Sequence, residues 1–138
     1  MTSSSLPKKL QMKPRQRAVL INAPAGYLDK LVPLPDGVQI AASPEGQFDF
    51  VQLFVNDLAQ LQELLPLAAQ SVKPGALLWI AYPKGSAKTG TDLNRDRLWA
   101  AVSEHHLTGV SLISLDEIWS AMRFKPSEAV KATRDITQ

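Results

Sequence analysis

The stretch VSLISLDEIWSAMRFK, residues 110–125, decides the fold that this sequence predicts. It holds two apolar runs, 110–115 and 118–125, which are separated only by Asp116 and Glu117. A parallel connection between neighbouring strands needs a crossover of about a dozen residues, and there is no room for one here. The last two strands are therefore predicted to be an antiparallel pair.

Upstream of this pair, short apolar runs alternate with segments of helical periodicity. Strands that alternate with helices form a mainly parallel sheet that is covered on both faces. We therefore predict one three-layer α/β domain, with about six strands and the antiparallel pair at its C-terminal end. The predicted strands are 17–22, 38–42, 48–55 and 76–82, and the predicted helices are 27–31, about 57–72 and about 92–105.

The charge of the chain is unevenly distributed. The 138 residues include 15 Lys and Arg and 13 Asp and Glu, but five of the cations lie in residues 1–17, which contain no acid. The remainder has ten basic and 13 acidic residues, a net charge of −3. We predict a flexible basic tail (1–16), an α/β domain (17–126) and a polar C-terminal tail (127–138). The basic tail is either a solvated terminus or a contact for nucleic acid or an acidic partner.

Several classes of protein can be set aside from composition. Without cysteine there is no disulfide framework, zinc–thiolate site or cysteine nucleophile. No stretch approaches the roughly 18–20 apolar residues that span a bilayer, so we expect no membrane partner. The N-terminus has no apolar core of a secretory signal, and a cytoplasmic location is expected.

A ligand site is predicted where the parallel strands end, because ligands of open α/β sheets bind beyond the carboxyl ends of their strands. Lys84 and the following loop could hold an anion there. Alternatively, Asp92 or Thr91 caps a helix, and Lys84 pairs with Asp92, Asp116 or Glu117. The candidate ligand-binding residues are Asn22, Gly26, Tyr82, Lys84, Ser86, Asp92, Asn94, Asp116 and Trp119.

Catalytic and metal-binding constellations are not apparent in the sequence. His105 and His106 are adjacent and lack the i, i+4 spacing of a helical metal pair. Ser120 has no evident histidine and acid partners for a hydrolase triad. We therefore predict no metal site and name no catalytic residue.

Several segments carry a family resemblance. LLPLAAQSVKPGALLWIAYPK (64–84) resembles the helix, turn and strand in the second half of class I S-adenosylmethionine-dependent methyltransferases. INAPAGYLDKL, FVQLFV, LLWIAYPKGS, TDLNRDRLW and SLDEIWSAMRFKP together resemble a family of small bacterial proteins, a domain of unknown function, over roughly residues 17–126. This resemblance implies a truncated, methyltransferase-like and Rossmann-like sheet with no established activity.

The sequence departs from working methyltransferases at two cofactor contacts. Their first strand leads into a glycine-rich turn that lets the backbone approach the ligand. Here the loop 22–26 reads NAPAG, with one glycine and with Pro24, which has no backbone N–H. No acid follows the second strand at 41–43, and Glu45 lies too far along to replace it. We therefore predict no cofactor and expect S-adenosylmethionine not to bind.

These observations favour a non-enzymatic binding or interaction module on a degenerate methyltransferase-like fold. Its partner would be a second copy of the chain, another protein or a small anion. The alternative is an enzyme centred on Lys84, Asp92 and Asp116, either a divergent S-adenosylmethionine-dependent methyltransferase or an enzyme acting on another small anionic metabolite. Nucleic-acid binding through the basic tail is a third hypothesis.

Overall fold

A single mixed sheet organises the protein. The computed structural model describes residues 6–41, 43–84 and 92–126. The strands in these ranges are β1 (Arg17–Ile21), β2 (Gln39–Ala41), β3 (Phe48–Phe54), β4 (Val72–Pro83), β5 (Leu107–Ser114) and β6 (Trp119–Pro126). Their order is β2-β1-β3-β4-β6-β5, in which the first four are parallel and β6 is antiparallel to both of its neighbours. The predicted fold class is confirmed.

Helices cover both faces of the sheet. Those in the described ranges are α1 (Leu6–Lys9), α2 (Tyr27–Leu31), α3 (Leu58–Ser71) and α4 (Arg95–Ser103). The apolar sides of α3 and α4 pack in one core cluster, whereas α2 and the N-terminal segment pack in the other. No helix in the described part of the chain is long and apolar enough to cross a membrane.

Alternation along the strands explains why there are two cores. In β3, Val51 and Leu53 face the cluster of α3 and α4, whereas Phe50 and Phe54 face the opposite cluster. Successive strand residues point to opposite faces, so a strand that is buried on both sides reads as a continuous apolar run. Each fully buried Leu or Phe contributes about 1.5–3 kcal/mol relative to exposure.

Part of the predicted N-terminal tail packs against the sheet. Leu10 is fully buried, Met12 is nearly so, and the indole Nε1 of Trp79 donates to the carbonyl oxygen of Leu10 at 3.0 Å. Leu6 and Leu10 have helical i, i+4 spacing, which gives this basic segment an apolar side. Residues 6–12 thus differ from the flexible tail that we predicted, and they cover the face that the short helix α2 leaves open. Residues 1–5 and 127–138 lie outside the described residues.

Candidate functional site

The strand order reverses between β1 and β3, and this reversal defines the crevice where ligands of such sheets bind. Asn22, the residue after β1, has a left-handed backbone with φ 62°. Its side-chain Nδ2 donates to the carbonyl oxygen of Phe54, the last residue of β3, at 2.8 Å. Asn22 therefore links the two strand ends at the floor of the crevice.

Gly26 leaves space at the end of the same loop. Its φ is +81°, a conformation in which other residues are strained by about 1–2 kcal/mol. A Cβ placed on it would meet no other heavy atom within 4 Å. Gly26 is thus exposed, and no other part of the described chain packs against the space beside its Cα.

Three aromatic rings pack next to this crevice. The rings of Tyr27 and Phe54 are in edge contact with centroids 4.6 Å apart, and those of Phe54 and Trp119 are in edge contact at 5.3 Å. The Tyr27 hydroxyl donates to Oε1 of the buried Gln52 at 3.0 Å. Burial raises the pKa of Tyr27 above its usual value. Trp119, which we predicted at the ligand edge, is half-buried against this aromatic group.

Asp116 fastens the turn between β5 and β6. Its Oδ1 accepts from the backbone N–H groups of Ile118 and Trp119, both at 2.8 Å, and its Oδ2 pairs with Lys30 Nζ at 3.0 Å. Burial by itself would raise the pKa of Asp116, but these donors together lower it. The carboxylate therefore links the turn to α2, and both of its oxygens already have partners within the protein.

Lys84 does not make the ion pair that the structural alternative predicted. Its Nζ donates to Ser114 Oγ at 2.6 Å, and its backbone N–H donates to the carbonyl oxygen of Ile118 at 2.7 Å. The ion pairs within the described ranges are Lys30–Asp116, Lys73–Asp49 and Arg95–Asp96, so none of them involves Lys84. A hydroxyl positions this ammonium group without cancelling its charge.

Two other predicted site residues hold helix ends. Asp92 Oδ1 accepts from the backbone N–H of Leu58 at 2.8 Å, so it stabilises the start of α3 rather than capping the helix that follows it. Asn94 Oδ1 accepts from the backbone N–H of Arg97 at 2.8 Å and is the cap of α4. These bonds satisfy N–H groups that a helix leaves unpaired at its first turn.

The remaining predicted residues do not meet in one site. Tyr82 is buried among the core residues beside α3 and α4, and its burial raises its pKa. Ser86 lies outside the described residues. Within the described ranges, no group of three or more His, Cys, Asp or Glu residues could hold a metal ion. The crevice at the end of β1 and the rim at Lys84 thus remain the candidate site.

Known structures share this fold. No protein-family model and no curated protein matches the sequence. The chain is similar to a ribosomal protein L11 methylase from Lactobacillus delbrueckii subsp. bulgaricus, with 12% identity, a TM-score of 0.57 and coverage of 88% of this chain and 74% of that one. It is similar to a fibrillarin pre-rRNA processing protein from Methanococcus jannaschii, with 11% identity, a TM-score of 0.59 and coverage of 91% of this chain and 70% of that one. It is also similar to DhpI in its complex with SAH, with 10% identity, a TM-score of 0.54 and coverage of 88% of this chain and 82% of that one.

These similarities show the methyltransferase-like, Rossmann-like fold and correct three predictions. We expected a non-enzymatic module, an absence of enzymatic activity and no cofactor. The matched structures contradict these expectations, since one is a methylase and another holds SAH. The single glycine and Pro24 of the 22–26 loop and the missing acid at 41–43 thus occur on a sheet of the same fold as these structures. No family model supports the resemblance to the small bacterial family.

Proposed function

We propose that this chain is a divergent S-adenosylmethionine-dependent methyltransferase that binds its cofactor at the carboxyl ends of β1 and β3. The observation that carries this proposal is the open backbone at Gly26, which lies at the reversal of strand order in a methyltransferase-like sheet. Ligands of open α/β sheets bind at this position.

The residues present fit the cofactor in part. Loop 22–26 can offer backbone groups, and the positive φ values of Asn22 and Gly26 bend it sharply beside the crevice. The same loop lacks an N–H at Pro24, and no carboxylate stands at Ala41 or Ser43 to accept the ribose hydroxyls. We therefore propose contacts mainly through the loop backbone and a weak affinity for the cofactor.

The bound cofactor would supply an electrophilic methyl group on a sulfonium ion. The chain would supply the position of the acceptor, and Lys84 is the residue that we propose for this role. Its charge has no ion-pair partner among the described residues, and Ser114 Oγ fixes the ammonium group at the carboxyl end of β4. A cation held there favours a small anionic metabolite as acceptor. Absent cysteine and the quoted sequence segments support a bacterial, cytoplasmic setting for this activity.

Binding to the full chain tests the proposal. In calorimetric titrations, S-adenosylmethionine and S-adenosylhomocysteine should both bind. In NMR spectra, the backbone amide signals of residues 22–23, 25–26 and 54–56 should move most. A ligand at about 100 times its Kd should also raise stability by roughly 2.7 kcal/mol. If neither compound binds at about 1 mM, or if the perturbed amides lie elsewhere, the proposal is contradicted.

A further inference from the structure

A cavity lies at the opposite edge of the sheet, where the parallel strands begin. Its volume is about 560 Å³, it is open to solvent, and it is lined by the starts of β3 and β4, the middle of β6 and residues of the N-terminal segment. We call it the amino-edge pocket. Its polar lining residues are Lys8, Gln11, Lys13, Gln16, Asp49 and Arg123.

The charge of this pocket is unbalanced. Asp49, the acid in its lining, is already occupied, since it accepts from the backbone N–H of Arg17 at 2.9 Å and pairs with Lys73 Nζ at 3.0 Å. These two interactions lower the pKa of Asp49. Lys8, Lys13 and Arg123 are thus three cations whose charge the lining does not neutralise. No ion pair within the described ranges includes any of them.

Arg123 has an unmet hydrogen-bond donor. Its Nη1 donates to Gln11 Oε1 at 2.6 Å, which fixes the orientation of the guanidinium plane. Its buried Nε has no hydrogen-bond partner among the described residues. A buried polar group without a partner is destabilising, and more so when it is charged. Burial correspondingly lowers the pKa of Arg123. An anion beside the guanidinium group would compensate this partly buried charge.

We propose that the amino-edge pocket binds a phosphate group through Lys8, Lys13 and Arg123. The planar guanidinium donates two parallel hydrogen bonds to phosphate oxygens, and lysine ammonium groups add charge with free orientation. The phosphate could belong to a small phosphorylated compound or to the backbone of a nucleic acid, since the recognising chemistry is the same. This site is separate from the carboxyl edge and does not depend on the proposed methyl transfer.

A matched pair of double variants tests the site. In Lys8→Gln/Lys13→Gln, two lining cations are removed. In Lys9→Gln/Lys125→Gln, two exposed cations outside the lining are removed, so the net charge falls equally. Pyrophosphate and a single-stranded RNA of about ten nucleotides are titrated separately into each full-length protein. We expect the lining variant to bind about tenfold more weakly and the control within about twofold, because only the first variant loses cations that line the pocket.

Arg123 supplies an independent readout. Arg123→Lys keeps the charge but loses the pair of parallel guanidinium N–H donors, so it should weaken binding less than Arg123→Met. Measuring Tm confirms that both variants fold. Pyrophosphate binding with this selectivity identifies a small phosphate ligand, and RNA binding alone with the same selectivity identifies a nucleic acid. The proposal is overturned if neither probe binds, or if both double variants weaken binding by the same factor.

Discussion

The two edges of the sheet use their polar side chains differently. At the carboxyl edge, Asp92 and Asn94 hold helix N-termini and Asp116 is occupied by Lys30 and two backbone N–H groups. At the amino edge, Lys8 and Arg123 line a cavity whose acid is already paired elsewhere. Polar residues at the expected edge can therefore be structural, while a cavity lined by cations forms where strand order gives no reason to expect one.

The comparison also separates two kinds of support for a ligand. The cofactor proposal depends on topology and on open backbone at Gly26. The phosphate proposal depends on a cavity lined by cations that have no ion-pair partner among the described residues. Because different residues carry the two sites, each can be disrupted while the other is kept.

The largest expected effect is on the packing of the carboxyl edge. Phe54→Ala removes the ring that lies between Tyr27 and Trp119, and it should lower the free energy of unfolding by about 3–5 kcal/mol. Denaturant unfolding measures the loss. Phe54→Leu, which leaves a smaller void, should cost less. Binding of pyrophosphate should persist wherever Phe54→Ala remains folded, and a loss below about 1 kcal/mol would show that Phe54 does not organise this edge.

A smaller effect is expected where the N-terminal segment meets the sheet. Trp79→Phe removes the indole donor and leaves the Leu10 carbonyl oxygen without that hydrogen bond, at a cost of about 1–3 kcal/mol. Backbone amides of residues 8–12 should exchange faster, and pyrophosphate binding should weaken because this segment carries Lys8 and is followed directly by Lys13. The exposed Trp99 provides the control, since Trp99→Phe should change stability by less than about 0.5 kcal/mol. Equal rates of amide exchange in the two variants would show that the Trp79 hydrogen bond does not hold the N-terminal segment on the sheet.

The smallest expected effect concerns the paired carboxylates of both edges. The folded-state pKa values of Asp49 and Asp116 are lowered, so their stabilisation is present above the unfolded value of about 4 and is lost as the pH falls below it. Asp49→Asn and Asp116→Asn should therefore each flatten the decline of stability between about pH 4 and pH 2. Chemical unfolding across this range measures the slope. Unchanged slopes in both variants would contradict the contacts assigned to these two carboxylates.

The sheet could be predicted from the sequence because local patterns determine it. Apolar runs located the strands, and the two-residue separation at Asp116 and Glu117 required the antiparallel pair. Boundaries were less accurate: β5 begins at Leu107 rather than at residue 110, so Gly109 lies within the strand. The apolar i, i+4 pair of Leu6 and Leu10 was a signal for the packed N-terminus, but the basic residues around it dominated the prediction.

The contacts of the site residues could not be predicted, because they join distant parts of the chain. The sequence around Asp92 indicates a helix cap, but nothing local shows that the helix start it stabilises is at Leu58. The sequence allowed several acids as partners of Lys84, but in the fold its ammonium group donates to Ser114 Oγ. The amino-edge pocket likewise needs Gln11 and Arg123 to meet, which follows only from the packing of the N-terminal segment.

Two glycines allow the most direct test of the proposed cofactor site. Gly26 and Gly75 have φ values of +81° and +77°, and a Cβ on either would meet no other heavy atom within 4 Å. Gly26→Val and Gly75→Val should therefore suffer similar backbone strain, but the first lies at the carboxyl edge and the second lines the amino-edge pocket.

The decisive measurement is the Kd of S-adenosylmethionine for both valine variants and the unaltered chain, determined by calorimetry where all three are folded. We predict that Gly26→Val weakens binding by at least about tenfold, because the side chain fills the space open to the ligand, and that Gly75→Val stays within about twofold. Equal affinities for both variants, or undiminished binding by Gly26→Val, would contradict a cofactor site at the carboxyl end of β1.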